Sequence, residues 1–398
     1  MSLTDLRTGE SPARVAFYND PKVRSVFYQV VLCALIAFVV YGAVTNAIDH
    51  LARAHIASGF GFWDATAGFD ISQTLISYSS QASTYGRAFW VGLLNTLLVA
   101  GLGIVFATIL GFIIGISRLS KNWLVAKFAS GYVETIRNLP LLLQLLFWYN
   151  AVLKALPELR ESIVIPGGAY LNNRGLFLPQ PEFLYGFGSV VAALAVGIVA
   201  AIGFYVWARK RQERTGQRAP VLWVTLALVV VLPLAVFALR GFPLVFNYPQ
   251  AGRFNITGGV EVLPEFAALL FGLSIYTAAF IAEVVRAGIL AVSRGQTEAA
   301  YSLGLKAGPT LRLIVVPQAM RVIIPPLTSQ YLNLTKNSTL AVAIGYPDLV
   351  QVFTGTVLNQ TGQAVEVVAI TMLVYLTISL VTSFAMNIYN SRMALVER

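Results

Sequence analysis

The residues of this chain that could do chemistry are few, and most stand where charge is costly. Glu134, Arg137, Glu283, Arg286, Lys336 and Glu366 all fall in or beside long apolar runs, where an ionised group must face protein or water. Residues three apart share a helical face, so Glu134 with Arg137, and Glu283 with Arg286, can each close an ion pair that locks helix packing or acts as a gate. Lys336, set among Asn333 and Asn337, offers an ammonium to a carboxylate in an outward-opening cavity, or snorkels to the interface. Asn95, Gln144 and Glu366 could line the same cavity, though Asn95-Thr96 could equally be hydrogen-bond glue between helices. No catalytic or metal-ligating set emerges. Cys33 is the single cysteine, so no internal disulfide, CxxC motif or cysteine-based metal cluster exists. His50 and His55 both lie just after the first apolar run, leaving a nucleophile without an evident base. A GxxxxGK[ST] phosphate loop is absent, so the chain cannot cradle ATP phosphates in the usual way.

The elements that must position these residues follow from composition. The 398 residues are 57% hydrophobic and 12% charged, a balance that excludes an ordinary soluble domain. The surplus of 28 Lys plus Arg over 18 Asp plus Glu fits cytoplasmic loops of a membrane protein better than a nucleic-acid surface. A bilayer core asks for about 20 apolar residues per helix. Eight segments answer: 25–47, 88–116, 128–153, 187–208, 221–239, 266–290, 322–344 and 365–388. The third is interrupted by Glu134, Arg137 and Pro140, the seventh by Pro325, Pro326 and Lys336. Basic residues crowd alternate connections, above all Arg209, Lys210, Arg211, Arg214 and Arg218, then Arg286, Arg294, Lys306, Arg312 and Arg321. This asymmetry predicts that both termini are cytoplasmic. Residues 1–24 carry both signs of charge and precede a long apolar stretch, so the first helix is expected to be retained. The outer connections 49–87 and 154–186 have room for short interfacial helices, and no turn-rich module is expected in them.

One cytoplasmic connection does not read as a plain linker. Residues 293–317, SRGQTEAAYSLGLKAGPTLRLIVVP, predict two short helices. Thr297 is the expected N-cap, with Glu298 by the positive end of the dipole and Ala299 and Ala300 keeping one face thin. Gly304 can close the first helix in the left-handed conformation, and Gly308-Pro309 can open a second that stops at Pro317. Tyr301, Leu303 and Leu305 then project as apolar knobs, toward a partner groove or toward lipid headgroups.

The sequence Glu298-Ala299-Ala300, followed by Gly304, Ile314 and Pro317, resembles the EAA coupling loop of binding-protein-dependent ABC importer permeases. The match extends through Gly288, Gly295-Gln296, Pro317-Gln318-Ala319, Pro325-Pro326-Leu327 and Lys336-Asn337-Ser338-Thr339-Leu340. A second block, residues 132–144 (YVETIRNLPLLLQ), is similar to the second core helix of the polar amino acid permeases of the histidine/glutamine type. The longer plan, including Gly68-Phe69-Asp70-Ile71 and Gly92-Leu93-Leu94-Asn95-Thr96, is similar to the general L-amino acid permeases of Gram-negative bacteria. The resemblance implies an all-α membrane protein: a five-helix type I importer core with an extra first helix and an inserted helical pair. Residues 1–87 would hold the extra helix and its outer loop, 88–153 core helices one and two, 154–262 the inserted segments, and 263–398 core helices three to five. It further implies an inner-membrane pore subunit for L-amino acids, without a cofactor or nucleotide site of its own and not itself an enzyme. A second permease subunit, heterodimeric rather than identical, is implied, with two ATPase subunits binding ATP and Mg and a periplasmic amino acid-binding protein. Residues 297–301 and 303–305 would then couple to the ATPase. An ion-coupled secondary amino acid transporter is the main alternative from composition alone, but it calls for inverted repeats that the sequence does not display.

Overall fold

The computed structural model describes residues 21–53, 58–252 and 255–393. The tail 1–20, His55, Arg253 and residues 394–398 lie outside them. Among the described residues, seven helices are long and apolar enough to cross a membrane, and Leu141–Leu153 is a shorter apolar helix. The seven correspond to expected segments, and the shorter helix covers only the second half of the expected third, 128–153.

The first span is α1 (Pro21–Arg53), whose apolar side chains are exposed from Val26 to Val44. Next comes α2 (Tyr85–Ser117), capped by the Thr84 hydroxyl on the Arg87 N–H. The expected third span is not one helix. α3 (Trp123–Asn138) ends at Leu139, which is extended at φ −101°, ψ 133°, because a residue before proline is pushed out of the helical region. After Pro140, α4 (Leu141–Leu146) runs into a π-helical turn, Phe147–Leu153. At 1.5 Å per residue this apolar piece reaches only about 20 Å, short of a bilayer core of about 30 Å.

The inserted pair is α5 (Phe187–Thr215) packed against α6 (Val221–Leu226), a π turn Ala227–Val231, and α7 (Leu232–Leu239). The two arms touch closely at Gly197, where a Cβ would stand 2.1 Å from the Leu228 carbonyl. α8 (Pro264–Leu290) is the most deeply buried span. It lies along α2, with Gly111 and Gly115 against Ile281, Ala282 and Val285, and meets the seventh span where Gly288 faces Ile323. Small residues let these backbones approach, the usual basis of helix association in lipid. The main core gathers Leu145, Leu269, Leu273, Ile281, Ile323, Leu334 and Tyr346.

The outer connections correct an expectation. Residues 154–186 hold one 3-10 turn, Leu159–Glu161, and otherwise form strands: β1 (Ile163–Ile165), β2 (Ala169–Asn172) and β3 (Gly175–Leu178), followed by β4 (Gln180–Phe183). The chain after α7 adds β5 (Leu244–Asn247), β6 (Gln250–Ala251), β7 (Ile256–Thr257) and β8 (Val260–Val262). One antiparallel sheet has the order β1-β2-β3-β8, β4 pairs with β5, and β6 with β7. The overlooked signals are hairpin turns. Gly167 and Gly168 take φ +99° and +80° between β1 and β2, and Asn173-Arg174 separates β2 from β3.

Candidate functional site

The connection after α8 holds a short helix, α9 (Arg294–Ser302). Its N-cap is Ser293, so Thr297 is an interior residue and not the cap expected. Its C-terminus closes as anticipated at Gly304, with φ +78°. The Leu305 N–H donates to the Ala300 carbonyl at 3.1 Å and the Gly304 N–H to the Tyr301 carbonyl at 2.9 Å. These two bonds define a Schellman motif, and they satisfy carbonyls that the helix end would otherwise leave open. Ala300 is buried, Leu305 half-buried, and Glu298 and Ala299 are exposed. Tyr301 and Leu303 project at 51% and 82% exposure.

The second short helix does not stop at Pro317. α10 (Ala307–Thr310) passes through a π turn, Leu311–Val315, into α11 (Val316–Asn337), which tightens into a 3-10 turn at Ser338–Ile344. Pro317 stands in the first turn of α11, directly after the wider π turn, where its ring meets least opposition from the preceding turn. The element after Gly304 and the seventh span are therefore one rod. Gln318 Nε2 donates to Gln296 Oε1 at 3.3 Å, tying α9 to that rod.

Behind this element lies a hub of charge. Glu283 Oε1 accepts from Arg286 at 2.5 Å, Arg118 bonds Glu283 Oε2, and Arg137 approaches the same oxygen at 3.9 Å. Arg137 also lies over the Phe280 ring, 5.2 Å from its centre. The expected pair Glu283 with Arg286 is present. The expected pair Glu134 with Arg137 is not: Arg137 leans toward α8, and Glu134 is exposed with no partner among the described residues. Arg118, at the C-cap of α2, was not anticipated. Its only sequence signal is a cation at the negative end of a long helix.

Gln144 and Asn95 are buried, and the amide N–H groups of both are committed to backbone while Gln144 Oε1 and Asn95 Oδ1 have no partner among the described residues. Gln144 Nε2 donates to the carbonyls of Ile136 and Leu139, both at 3.0 Å, and so bridges the break that Pro140 makes. Asn95 Nδ2 donates to the carbonyls of Gln73 and Pro347, both at 2.9 Å. Beside it the Thr96 hydroxyl accepts from the Leu349 N–H at 3.0 Å. These bonds clamp α2 to the turn following Ile344, where Asp348 is fully buried and holds the Gln351 N–H at 2.8 Å. Asp348 gave no signal in the sequence, since it lies outside any apolar run. Glu366, in the first turn of the last span, α13 (Ala364–Met393), accepts from the Gly59 N–H at 2.5 Å.

Lys336 is exposed and lacks a partner among the described residues. It lines a cavity of about 500 Å³ with Thr339, Thr354, Tyr375 and Ser379. Asn333, one turn earlier, is exposed but outside that lining. Lys336 and Asn333 thus stand apart from Asn95, Gln144 and Glu366, which the structure does not bring into one cavity.

Residues 195–395 match the family of binding-protein-dependent transport system inner membrane components. The general L-amino acid transport system permease protein AapQ of Rhizobium johnstonii is 56% identical over 385 residues, covering 97% of this chain and 96% of that protein. The chain belongs to this permease family. It is a multi-pass inner-membrane protein and a permease subunit of the amino acid ABC transporters. A further relative, the glutamate/glutamine/aspartate/asparagine transport system permease protein BztB of Rhodobacter capsulatus, is 44% identical over 410 residues, covering 95% of this chain and 96% of that protein. A crystal structure of an amino acid ABC transporter with histidines aligns over 77% of this chain and 95% of the other, at 22% identity and a TM-score of 0.46.

Proposed function

We propose that this permease subunit is half of the pore of an ATP-driven importer that moves L-amino acids inward by alternating access. A second, homologous permease subunit completes the pore, two ATPase subunits bind ATP and Mg, and a periplasmic binding protein delivers the substrate. The observation that carries the reading is the rod from Ala307 to Ile344. It begins at the Schellman turn beside the exposed Tyr301 and Leu303 and carries Lys336 eight residues before its far end at Ile344. Movement of the ATPase subunits against α9 would be passed to the cavity through one continuous helix, because packed helices shift as units. The basic connection around Arg209 to Arg218 supports an orientation with both termini on the ATPase side.

Reconstitution tests this directly. The complete complex in liposomes should accumulate amino acids only with ATP and the binding protein, and Lys336→Met should raise the apparent KM or change substrate preference while leaving assembly intact. Uptake by this subunit alone on an ion gradient would refute the proposal in favour of a secondary transporter. Alkaline phosphatase fused after Arg214 should be inactive, and activity there would reverse the orientation.

A further inference from the structure

Two cavities open along α13, both with residues of the α11 rod in their lining and the second also with Val350 and Thr354 of the π-helical segment Val350–Val357. One, of about 580 Å³, is lined by Pro325 and Thr328 of α11 and by Ser383, Asn387 and Asn390 of α13. The other is the Lys336 cavity, of about 500 Å³, lined further along α13 by Thr371, Tyr375 and Ser379. Pro325 and Lys336 are eleven residues apart, as are Thr328 and Thr339. Eleven residues make three helical turns, so each pair lies on one face about 16 Å apart along the axis. On α13, Ser379, Ser383, Asn387 and Asn390 continue one stripe at spacings of three and four. The two linings share no residue but follow one another along the same face of α13, from Ser379 to Ser383.

Their chemistry differs. The Lys336 station carries a cation. At the other, near the end that joins the coupling element, the polar groups are neutral. Asn387 and Asn390, three apart on one face, have no side-chain partner among the described residues. Each amide offers two N–H donors and a carbonyl acceptor, so the pair can receive a carboxylate and an ammonium together without selecting on side-chain charge. The adjoining surface of α13 is apolar, with Leu380, Val381 and Phe384 exposed. Unpaired amides set into such a surface are better matched to water or a polar solute than to hydrocarbon.

We infer that the groove between α11 and α13 is the route of the amino acid through this half of the pore. Asn387 and Asn390 form its second station, which takes the zwitterionic main-chain groups after they leave Lys336. The inference rests on the importer reading above. In the complete complex, Asn387→Leu and Asn390→Leu together should lower the uptake rate at least tenfold while binding-protein-stimulated ATP hydrolysis and assembly persist. Unchanged uptake would overturn it, whereas failure of the wild-type complex to import would instead sink the importer reading.

Loss of folding in the double variant is met by a second measurement. Cys33 is the only native cysteine, so Asn387→Cys in a Cys33→Ser background gives one reporter thiol. In inside-out vesicles that thiol should react with a membrane-impermeant methanethiosulfonate, and a transported amino acid should slow the reaction severalfold. Labelling restricted to lipid-soluble maleimides, no labelling, or labelling that amino acids do not slow would each overturn the assignment.

Discussion

Gly304 offers the sharpest test of the coupling element, because the structure separates its two possible roles. A Cβ built there meets no atom within 4 Å, so a larger residue creates no clash and any cost is conformational. At φ +78° an ordinary L-residue loses about 1–2 kcal/mol, with a β-branched residue at the upper end and asparagine at the lower. If the turn yields instead, the Leu305 to Ala300 and Gly304 to Tyr301 bonds are lost, and α9, nine residues long, is too short to hold itself in water. Since about 1.4 kcal/mol is a factor of ten, Gly304→Val should shift the docking-competent population roughly tenfold. Affinity purification should then recover less ATPase, and amino acid uptake should fall in proportion, while membrane insertion stays normal. Gly304→Asn should retain most of both activities, with Gly304→Ala between them. Wild-type uptake and ATPase recovery in the valine variant would refute the reasoning, and so would equal damage from asparagine and valine.

Three further outcomes follow from the charge and hydrogen-bond networks. Glu283→Gln should leave Arg118, Arg137 and Arg286 facing one another and destabilise the complex by about 1–3 kcal/mol, discounted from a fully buried pair because Glu283 is 27% exposed; an unchanged melting temperature in detergent would rule that out. Asn95→Leu removes both bonds that hold α2 to Gln73 and Pro347, at about 1–3 kcal/mol for the acceptors left behind. Proteolysis near Gln73 should accelerate, and no change in cleavage would count against the clamp. Burial pushes the Asp348 carboxyl from 3.8 up to about 7, against the opposing hydrogen bonds from Gln351 and Tyr375. A raised acid pKa means the folded state binds the extra proton, so the stability this site contributes is full below about pH 4 and declines as pH rises toward 7. Asp348→Asn should flatten that part of the stability profile, which thermal melts from pH 5 to 8 would show.

What the sequence made legible was whatever depends on local pattern. Apolar length marked the spans, the Gly304 turn followed from a glycine at the end of a short alanine-containing helix, and Glu283 found Arg286 because three residues bring them to one face. What it concealed depends on a neighbour distant in the chain. Arg137 has Glu134 at the same spacing yet turns to Glu283, since α8 presents both a carboxylate and the Phe280 ring. Gln144 looked like a pathway group because a polar residue in an apolar run has the same signature whether it faces a solute or a backbone break. Only the position of the Ile136 and Leu139 carbonyls decides between them. The same ambiguity worked in reverse at Asn387 and Asn390, which sit at the end of a span where polar residues draw no notice. There a shared cavity lining, and not the residue types, brings them to notice. For helices in lipid, then, an intramembrane polar residue becomes evidence of a transport route only after every backbone acceptor within its reach has been checked. By that criterion the amide N–H groups of Asn95 and Gln144 are already occupied by backbone, with only their buried carbonyl oxygens unpaired among the described residues, while Lys336, Asn387 and Asn390 line cavities with no such bond made.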